Sequence, residues 1–557
     1  MEKTRPPNVI LVVTDDQGYG DLSCHGNPIL RTPNLDALRR QSARLTDFHA
    51  SPTCAPTRAS LMTGRYCNRT GVWHTIMGRS LLRRDEVTMA DIFAARDYRT
   101  GIFGKWHLGD NFPFRPHDRG FHEVLVHGGG GVGQTPDFWG NDYFDDTYWH
   151  NGVPEKHSGY CTDVWFDAAM RFVEANRDRP FFVYLAPNAP HSPYNVPTAY
   201  SAPYGGPEVP NAAFYGMIAN LDENMGRLME RLKSLDLEAN TIVVFMTDNG
   251  TAAGLQGGKG FNAAMRGTKG SEYDGGHRVP CFIRWPAGEL GGGRDVNRLT
   301  AHIDLLPTLI DLCGLPSPVG VAFDGASILP LLRGREAGWP DRVLVTDSQR
   351  IEHPQKWRRS AVMTDRWRLV NGKELYDIGA DPGQRNDVSE TCAETVHELR
   401  GAYERWWADI SSRFDECCEI VVGSDLENPS RLTCHDWHEA DPLPWNQAHI
   451  RQGIASNGFW AIEIARAGEY EFALRRWPRE VDEPIEGAIP GGEAIRATKA
   501  RILVGGVDLE KDIPEGAREV VFRIPLEPGK VRVQTWLTAE DGASRGAYYL
   551  YVARAGR

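Results

Sequence analysis

Two apolar runs end in acidic side chains. Val9-Ile10-Leu11-Val12-Val13-Thr14 leads into Asp15 and Asp16, and Thr241-Ile242-Val243-Val244-Phe245-Met246-Thr247 leads into Asp248 and Asn249. Active sites of parallel sheets gather at the C-terminal ends of strands, so both pairs stand where chemistry collects. Ionised carboxylates side by side repel one another. A hard divalent cation removes the conflict. A donor set of Asp and Asn oxygens suits Ca2+ or Mg2+ better than Zn2+, which prefers His and Cys. Asp and Asn before Gly also serve as ordinary turn and cap residues. Either pair alone reads that way; both together, each after an apolar run, point to a metal.

Cations recur in the same kind of place. Lys105 and His107 follow the apolar run at 99–103, His191 follows the run at 180–185, and Lys269 precedes the one at 279–283. An arginine, two lysines and two histidines around a divalent ion could bind a tetrahedral oxyanion. Each residue alone reads as a solvated charge or a satisfied histidine; the repeated placement is the signal.

These residues need a sheet to hold them. Residues 8–14, 99–103, 180–185, 241–247 and 279–283 read as buried strands of a mostly parallel sheet. Residues 32–41, 212–235 and 303–312 read as helices, with Ile218, Leu221, Met225, Leu228 and Leu232 at helical spacing. The alternation predicts an α/β sandwich. From about residue 346 the pattern changes to short antiparallel strands at 360–370 and 374–378, then a helix at 394–407. From about residue 420 it becomes β-rich, with runs at 459–474, 501–507, 519–524 and 531–536. The expected division is a catalytic core of residues 1–345, a small α+β subdomain of 346–420 and a β-rich accessory domain of 421–557.

A chain of 557 residues suits a large catalytic domain with additions. The net charge of −12 provides no global basic field for nucleic acid. The ten cysteines are scattered with no CxxC pair, which argues against a zinc ribbon and neither requires nor forbids disulfides. The apolar run near the N-terminus is too short for a signal segment or a membrane span. A cytoplasmic location is expected, or a periplasmic or secreted one if a leader has been removed. Asn68-Arg69-Thr70 is a formal glycosylation sequon.

One cysteine has an unusual frame. Cys54 sits between Pro52 and Pro56 in the stretch Cys54-Ala55-Pro56-Thr57-Arg58, with Leu61-Met62-Thr63-Gly64-Arg65 beyond it. This stretch resembles the signature of the sulfatases, members of the alkaline phosphatase superfamily: cysteine, any residue, proline, any residue, arginine. Asp15-Asp16, Gly104-Lys105-Trp106-His107, His191-Ser192-Pro193, Asp248-Asn249-Gly250 and Lys269 match the family in order. Asp304-Leu305-Leu306-Pro307-Thr308, Asp324-Gly325-Ala326-Ser327 and Leu375-Tyr376-Asp377-Ile378-Gly379-Ala380-Asp381-Pro382 extend the likeness over about residues 8–415.

The resemblance implies an alkaline phosphatase-like fold and hydrolysis of aryl or carbohydrate sulfate esters to an alcohol and inorganic sulfate. It implies that a formylglycine-generating enzyme oxidises Cys54 to formylglycine. One hydroxyl of the hydrated aldehyde attacks sulfur, and the other expels sulfate from the sulfo-enzyme intermediate. Asp15, Asp16, Asp248 and Asn249 would be Ca2+ ligands together with residue 54. Arg58 and Lys105 would hold formylglycine, and Lys105 and Lys269 the sulfate oxygens. His191 would be the acid for the leaving alcohol and His107 the base that starts sulfate elimination. No serine aligns where many members carry one near the sulfate. His127, before the run Gly128-Gly129-Gly130-Gly131, is a candidate replacement, the plainer reading being a flexible loop.

A phosphodiester or phosphonate monoester hydrolase of the same superfamily would be expected to carry a histidine after the second aspartate, where Asn249 stands. A non-catalytic carbohydrate-binding protein would suit the tail's Trp437, Trp445, Trp460, Trp477 and Trp536, although tryptophans more often pack sandwich cores. Residues 423–438 end in Leu432-Thr433-Cys434-His435-Asp436-Trp437-His438. They read either as a lid contacting the alcohol half of the substrate or as a linker packed on the accessory domain.

Overall fold

The computed structural model describes residues 5–555. Its large sheet is built in chain order from β1 (Asn8–Thr14), β2 (Ala43–His49), β3 (Arg99–Lys105), β4 (Glu123–His127), β5 (Thr147–His150), β6 (Val153–Lys156), β7 (Phe181–Ala186), β8 (Thr241–Thr247), β9 (Cys281–Arg284) and β10 (Asp295–Ala301). Across the sheet the order is β10-β2-β9-β8-β1-β7-β3-β4-β5-β6. The central run β8-β1-β7-β3-β4 is parallel throughout. The strand expected at 279–283 does not join that parallel set: β9 is antiparallel to both neighbours. The chain leaves β8 at its C-terminal tip and stays there through Lys269, so β9 starts at that tip and must run back.

Both faces of the sheet are covered. Along β1, Val9, Leu11 and Val13 enter one core with Ala55, Ala59, Leu61 and Met62 of α2 (Cys54–Thr63). Ile10 and Val12 enter the opposite core with Val173 and Leu228. Strands covered on both faces are apolar at successive positions, which is why these runs do not alternate. Helices α1 (Pro33–Arg40), α3 (Cys161–Ala175) and α4 (Ala212–Ser234) cover the second face, and α5 (Leu305–Cys313) packs near α2 on the first.

A small antiparallel sheet follows, of β11 (Leu344–Asp347), β12 (Ser360–Met363), β13 (Trp367–Val370) and β14 (Glu374–Asp377), with α6 (Ala393–Ile410) packed on it. The division expected at 345 falls inside β11. Buried Arg368 on β13 reaches Asp274 at 3.1 Å and Asp47 at 2.7 Å, which ties this sheet to the large one. Asn68 of the sequon is buried and donates to Asp347 at 3.1 Å, so its amide is occupied within the fold.

The C-terminal portion contains β15 (Ile420–Val422), β16 (Ser430–Thr433), β17 (Phe459–Ile464), β18 (Gly468–Arg475), β19 (Ala497–Val504), β20 (Val507–Asp512), β21 (Val520–Leu526), β22 (Gly529–Ala539) and β23 (Tyr549–Arg554). One sheet orders β15-β17-β22-β19-β20 and the other β16-β23-β18-β21. The run expected at 459–474 is therefore two strands in different sheets. They share one core in which Trp437, Trp460 and Trp477 are fully buried, and Leu81 and Phe114 from the first part of the chain belong to it too. Trp445 is 37 % exposed, and Trp536 lies under the Arg501 guanidinium at 4.6 Å. All ten cysteines are free. No helix among the described residues is long and apolar enough to cross a membrane.

Candidate active site

Adjacent parallel strands deliver adjacent side chains. Thr14 and Thr247 are register partners on β1 and β8, so Asp15-Asp16 and Asp248-Asn249 leave the sheet side by side. Asp248 donates its N–H to Thr14 O at 3.0 Å, and its Oδ1 accepts from Asp16 N–H at 3.0 Å. That bond accompanies a left-handed backbone at Asp16, φ 68°, a conformation aspartate tolerates and functional sites often hold.

Cys54 opens α2 against these tips. Its Sγ and carboxylate oxygens of Asp15 and Asp248 lie within 4.8 Å of one another, and all three residues are buried. Pro56 falls in the first helical turn, where a missing N–H costs nothing. Thr57 Oγ1 donates to Asp248 O at 2.7 Å and locks the helix start onto β8. The N-terminal end of α2 adds a partial positive charge where an anion would sit.

The cations bridge to the acids. Lys105, the last residue of β3 rather than a loop residue, places Nζ 2.7 Å from Asp15 Oδ2. Lys269 Nζ lies 2.6 Å from Asp16 Oδ1. Arg58 Nη2 lies 2.8 Å from Asp248 Oδ2, and its Nη1 donates to Tyr184 Oη at 3.2 Å. Burial, and then the charge of Asp15, push the Asp248 carboxyl up to about 7. Burial would raise Asp16 as well, but Lys269, His191 and Lys105 hold it well below the usual carboxylate range.

Within this cluster two buried oxygens find no protein donor among the described residues: Asp15 Oδ1 and Asn249 Oδ1. Asn249 turns its Nδ2 to Asp16 Oδ1 at 3.0 Å, which leaves its oxygen as an open ligand. Buried acceptors without partners are rare and call for an explanation. An all-oxygen cluster of this kind fits a hard divalent cation.

The histidines fix their protons through backbone carbonyls. His107 Nε2 pairs with Thr75 O at 2.8 Å, which puts the proton on Nε2 and leaves Nδ1 without a partner. Burial, with Lys105, holds its pKa well below the usual range, so Nδ1 carries a free lone pair. His191 Nδ1 pairs with Ser192 O at 2.6 Å, and its Nε2 faces Asp16 Oδ2 at 3.8 Å. His127 is the register partner of Lys105, so the two side chains leave the sheet on the same side. His127 Nδ1 pairs with Gly128 O at 3.0 Å and its buried Nε2 is unpartnered. The glycine run is packed rather than loose: a Cβ at Gly130 would lie 2.2 Å from His107 Cε1, and one at Gly131 would lie 3.2 Å from His191 Cε1.

Residues 423–438 divide. His435 is buried, its ring centroid is 6.3 Å from that of His107, and its Nε2 has no partner. His438 is also buried, but Nδ1 pairs with Glu352 Oε1 at 2.8 Å, a structural tie away from the acids. Sequence reasoning missed the loop at 74–79. Its Thr75 carbonyl holds His107, and its Met77 N–H donates to His435 O at 2.9 Å. Backbone groups leave no side-chain signature, so no sequence signal marked it.

The sulfatase family model matches residues 7–315, more than half of the chain. A model described as N-sulphoglucosamine sulphohydrolase, C-terminal, matches residues 268–404. Arylsulfatase A from Homo sapiens is 35 % identical over 360 residues, covering 59 % of this chain and 68 % of its own length. N-acetylgalactosamine-6-sulfatase from Homo sapiens is 31 % identical over 445 residues, covering 71 % and 84 %. A crystal structure of Ps i-CgsB in complex with k-i-k-neocarrahexaose superposes with a TM-score of 0.65 at 28 % identity, covering 74 % of this chain and 95 % of that one. The strand-tip acids, the cysteine at the helix start and the flanking cations thus stand on a fold shared with known sulfatases, and the chain belongs to the sulfatase family, as a sulfuric ester hydrolase of the alkaline phosphatase superfamily.

Proposed function

We propose that the enzyme hydrolyses sulfate esters of saccharides at Cys54 matured to formylglycine, beside a calcium ion held by Asp15, Asp16, Asp248 and Asn249. The observation that carries this is the convergence of Cys54 Sγ with Asp15 and Asp248 oxygens within 4.8 Å, next to two unpartnered oxygens. The sulfur position stands in for the formylglycine oxygen that would complete the ligand set. Bound there, calcium would supply charge neutralisation for the carboxylates and Lewis-acid activation of the nucleophile. Formylglycine would supply a hydrated aldehyde as that nucleophile, after a formylglycine-generating enzyme has read the Cys54–Arg58 stretch.

The chain's own groups divide the remaining work. Lys105 and Lys269 neutralise the sulfate oxygens, and Arg58 holds residue 54 against Asp248. His191 keeps its Nδ1 proton on Ser192 O, so in the protonated ring Nε2 carries the second proton and is the atom that passes it from the imidazolium to the leaving alcohol. His107 keeps its proton on Nε2, so Nδ1 is the atom that takes one from residue 54. His127 Nε2 stands beside Lys105 as a further polar contact for the sulfate. The saccharide reading is supported by similarity to an N-acetylgalactosamine-6-sulfatase and to a structure holding an oligosaccharide.

Peptide mass spectrometry at residue 54, with metal analysis of the same sample, tests the reading. Protein made alongside the maturing enzyme is expected to carry an aldehyde at residue 54 and about one calcium per chain. Asn249→Ala is expected to lower calcium content, because that Oδ1 serves no protein donor. An unmodified thiol in active protein, or magnesium in place of calcium, overturns the corresponding part. A panel of sulfated saccharides beside an aryl sulfate tests the substrate class. Higher kcat/KM for the aryl ester than for every saccharide would remove the saccharide assignment.

A further inference from the structure

Two buried histidines behind the active site meet nitrogen to nitrogen. His49 ends β2, and His277 ends the helical turn Asp274–His277. Their Nδ1 atoms are 2.9 Å apart. The outer nitrogens fix the protons. His277 Nε2 faces Glu272 O at 3.2 Å, and a carbonyl only accepts, so that nitrogen carries a proton. His49 Nε2 faces Asp47 Oδ1 at 2.9 Å and Arg368 Nη2 at 3.2 Å. Arg368 Nη2 gives its protons to the two Asp47 oxygens, at 2.7 and 3.0 Å. Ionised Asp47 accepts only, so His49 Nε2 carries a proton too. Two neutral rings held in this way would turn bare lone pairs at each other. A proton between them removes the conflict and makes a charge-assisted hydrogen bond.

The surrounding charges balance that proton. Asp274 is fully buried, with Oδ1 on Arg368 Nε at 3.1 Å and Oδ2 without a partner among the described residues. Asp47 and Asp274 bring two negative charges; Arg368 and the shared proton bring two positive ones. Arg278 stands at the rim, 3.9 Å from Asp47 Oδ1, with its N–H groups on Thr46 O. His302 Nδ1 pairs with His49 O at 3.1 Å, and burial lowers that ring to about 3, so it is neutral. The pair holds one extra proton and not two, because burial, and then the charge of His49, lower His277 to about 3.

A metal ion is the other way to fill the gap. A ring nitrogen of each histidine and a carboxylate oxygen of Asp274 lie within 4.8 Å of one another. Tetrahedral zinc, with bonds of roughly 2.0–2.1 Å, would hold the two nitrogens about 3.3 Å apart, wider than they stand. Arg368 already places a cation on Asp274. A proton fits the spacing and the charge better.

What the pair joins gives it a role. Ala50 N–H donates to His277 O at 2.8 Å, and the chain runs on from Ala50 to Cys54. Gly250, next to Asn249, donates its N–H to Gly276 O at 2.9 Å. A Cβ at Gly250 would lie 2.0 Å from Gly275 O, so the turn lies directly against the tip of β8.

We propose that His49 and His277 are positioning residues that share one proton, and that the protonated pair clamps the segment before Cys54 onto the turn backing Asn249. This rests on the reading of residue 54 as the nucleophile and Asn249 as a calcium ligand. Loss of the proton as pH rises sets the lone pairs against each other and loosens the turn. Residue 54 and Asn249 then lose their mutual placement, so calcium affinity and kcat fall together while KM changes less.

NMR of the enzyme labelled with nitrogen-15 histidine, near pH 7, tests the shared proton. A downfield ring N–H proton is expected, coupled across its hydrogen bond to a second ring nitrogen. Calcium affinity, and kcat on an aryl sulfate, measured from about pH 7 to about pH 10, test the clamp. His277→Ala is expected to weaken calcium binding roughly tenfold or more. His277→Asn offers an amide N–H to His49 without the shared charge. It is expected to recover most of the affinity and to lack the alkaline loss of affinity and kcat shown by the parent. A parent without the two-nitrogen signal overturns the proposal, whether or not either variant folds. So do parallel pH profiles for the parent and folded His277→Asn, or a transition metal bound one per chain in the parent and lost from His277→Ala. A parent that binds no calcium at any pH fails the metal reading instead, and the kcat profiles alone then decide the clamp.

Discussion

At residue 54 the question is what the buried sulfur contributes that an alanine methyl would not. Its neighbours are charged groups of the proposed site: Asp15, Asp248 and Lys269 face it, and Thr57 closes the helix start below it. Replacing it by alanine removes one atom from a polar pocket, with a stability cost on the order of 1 kcal/mol. The loss in turnover should be much larger. Cys54→Ala is expected to lower kcat/KM on any sulfate ester by about a thousandfold or more, with a melting temperature within a few degrees of the parent. Near-normal turnover would sink covalent catalysis at this position. The acids, lysines and histidines around Cys54 were legible in the sequence because each follows or precedes an apolar run, and strand tips collect chemistry. Their proton placement was not. The carbonyls of Thr75 and Ser192 set it, and only the folded chain shows which backbone oxygen meets which ring.

At the scale of elements, the parallel run β8-β1-β7-β3 could be read from apolar segments, whereas β4 and the reversal of β9 were not. An apolar run looks the same in either direction, and direction follows from where the connecting loop stays. The glycine run at 128–131 likewise reads as slack in one dimension and is packing in three. Gly130→Ala would drive a methyl into the His107 ring, 2.2 Å from Cε1. The ring must move off Thr75 O, so kcat is expected to fall by about tenfold or more with a smaller change in KM. An unchanged kcat would show that the ring yields without leaving its carbonyl. The segment at 434–438 makes a paired test. His435 stands beside His107 with a free Nε2, whereas His438 is spent on Glu352. His435→Ala is expected to lower kcat/KM for a bulky saccharide ester roughly tenfold, about 1.4 kcal/mol, and to affect a small aryl sulfate less. His438→Ala is expected to lower the melting temperature and affect both substrates equally. The same kinetic pattern for both variants would remove His435 from the substrate pocket.

At the scale of the whole molecule, the C-terminal sheets grip the active site from outside. Thr135 N–H donates to Trp445 O at 3.0 Å, Thr135 Oγ1 donates to Pro444 O at 3.0 Å, and Tyr549 Oη donates to Thr135 O at 3.1 Å. These bonds anchor the segment just after the glycine run. The His438–Glu352 pair is a second clasp, and its strength depends on pH. Burial opposes charge on the ring, but the hydrogen bonds to Cys417 and Glu352 outweigh it and raise His438 to about 9. Arg79, which also pairs with Glu352, is the opposing cation in this cluster. A histidine raised above its ordinary 6.5 contributes stability that is complete below about pH 6.5 and lost as pH rises through about 9. That interval corresponds to at most about 3 kcal/mol, shared with the titration of Cys417. Thermal unfolding of the parent is therefore expected to weaken between pH 6 and pH 9.5 by more than that of His438→Gln, with the two curves converging at the alkaline end. Curves that stay parallel across this range would show that the imidazole is neutral in the folded protein and that the clasp holds by packing alone.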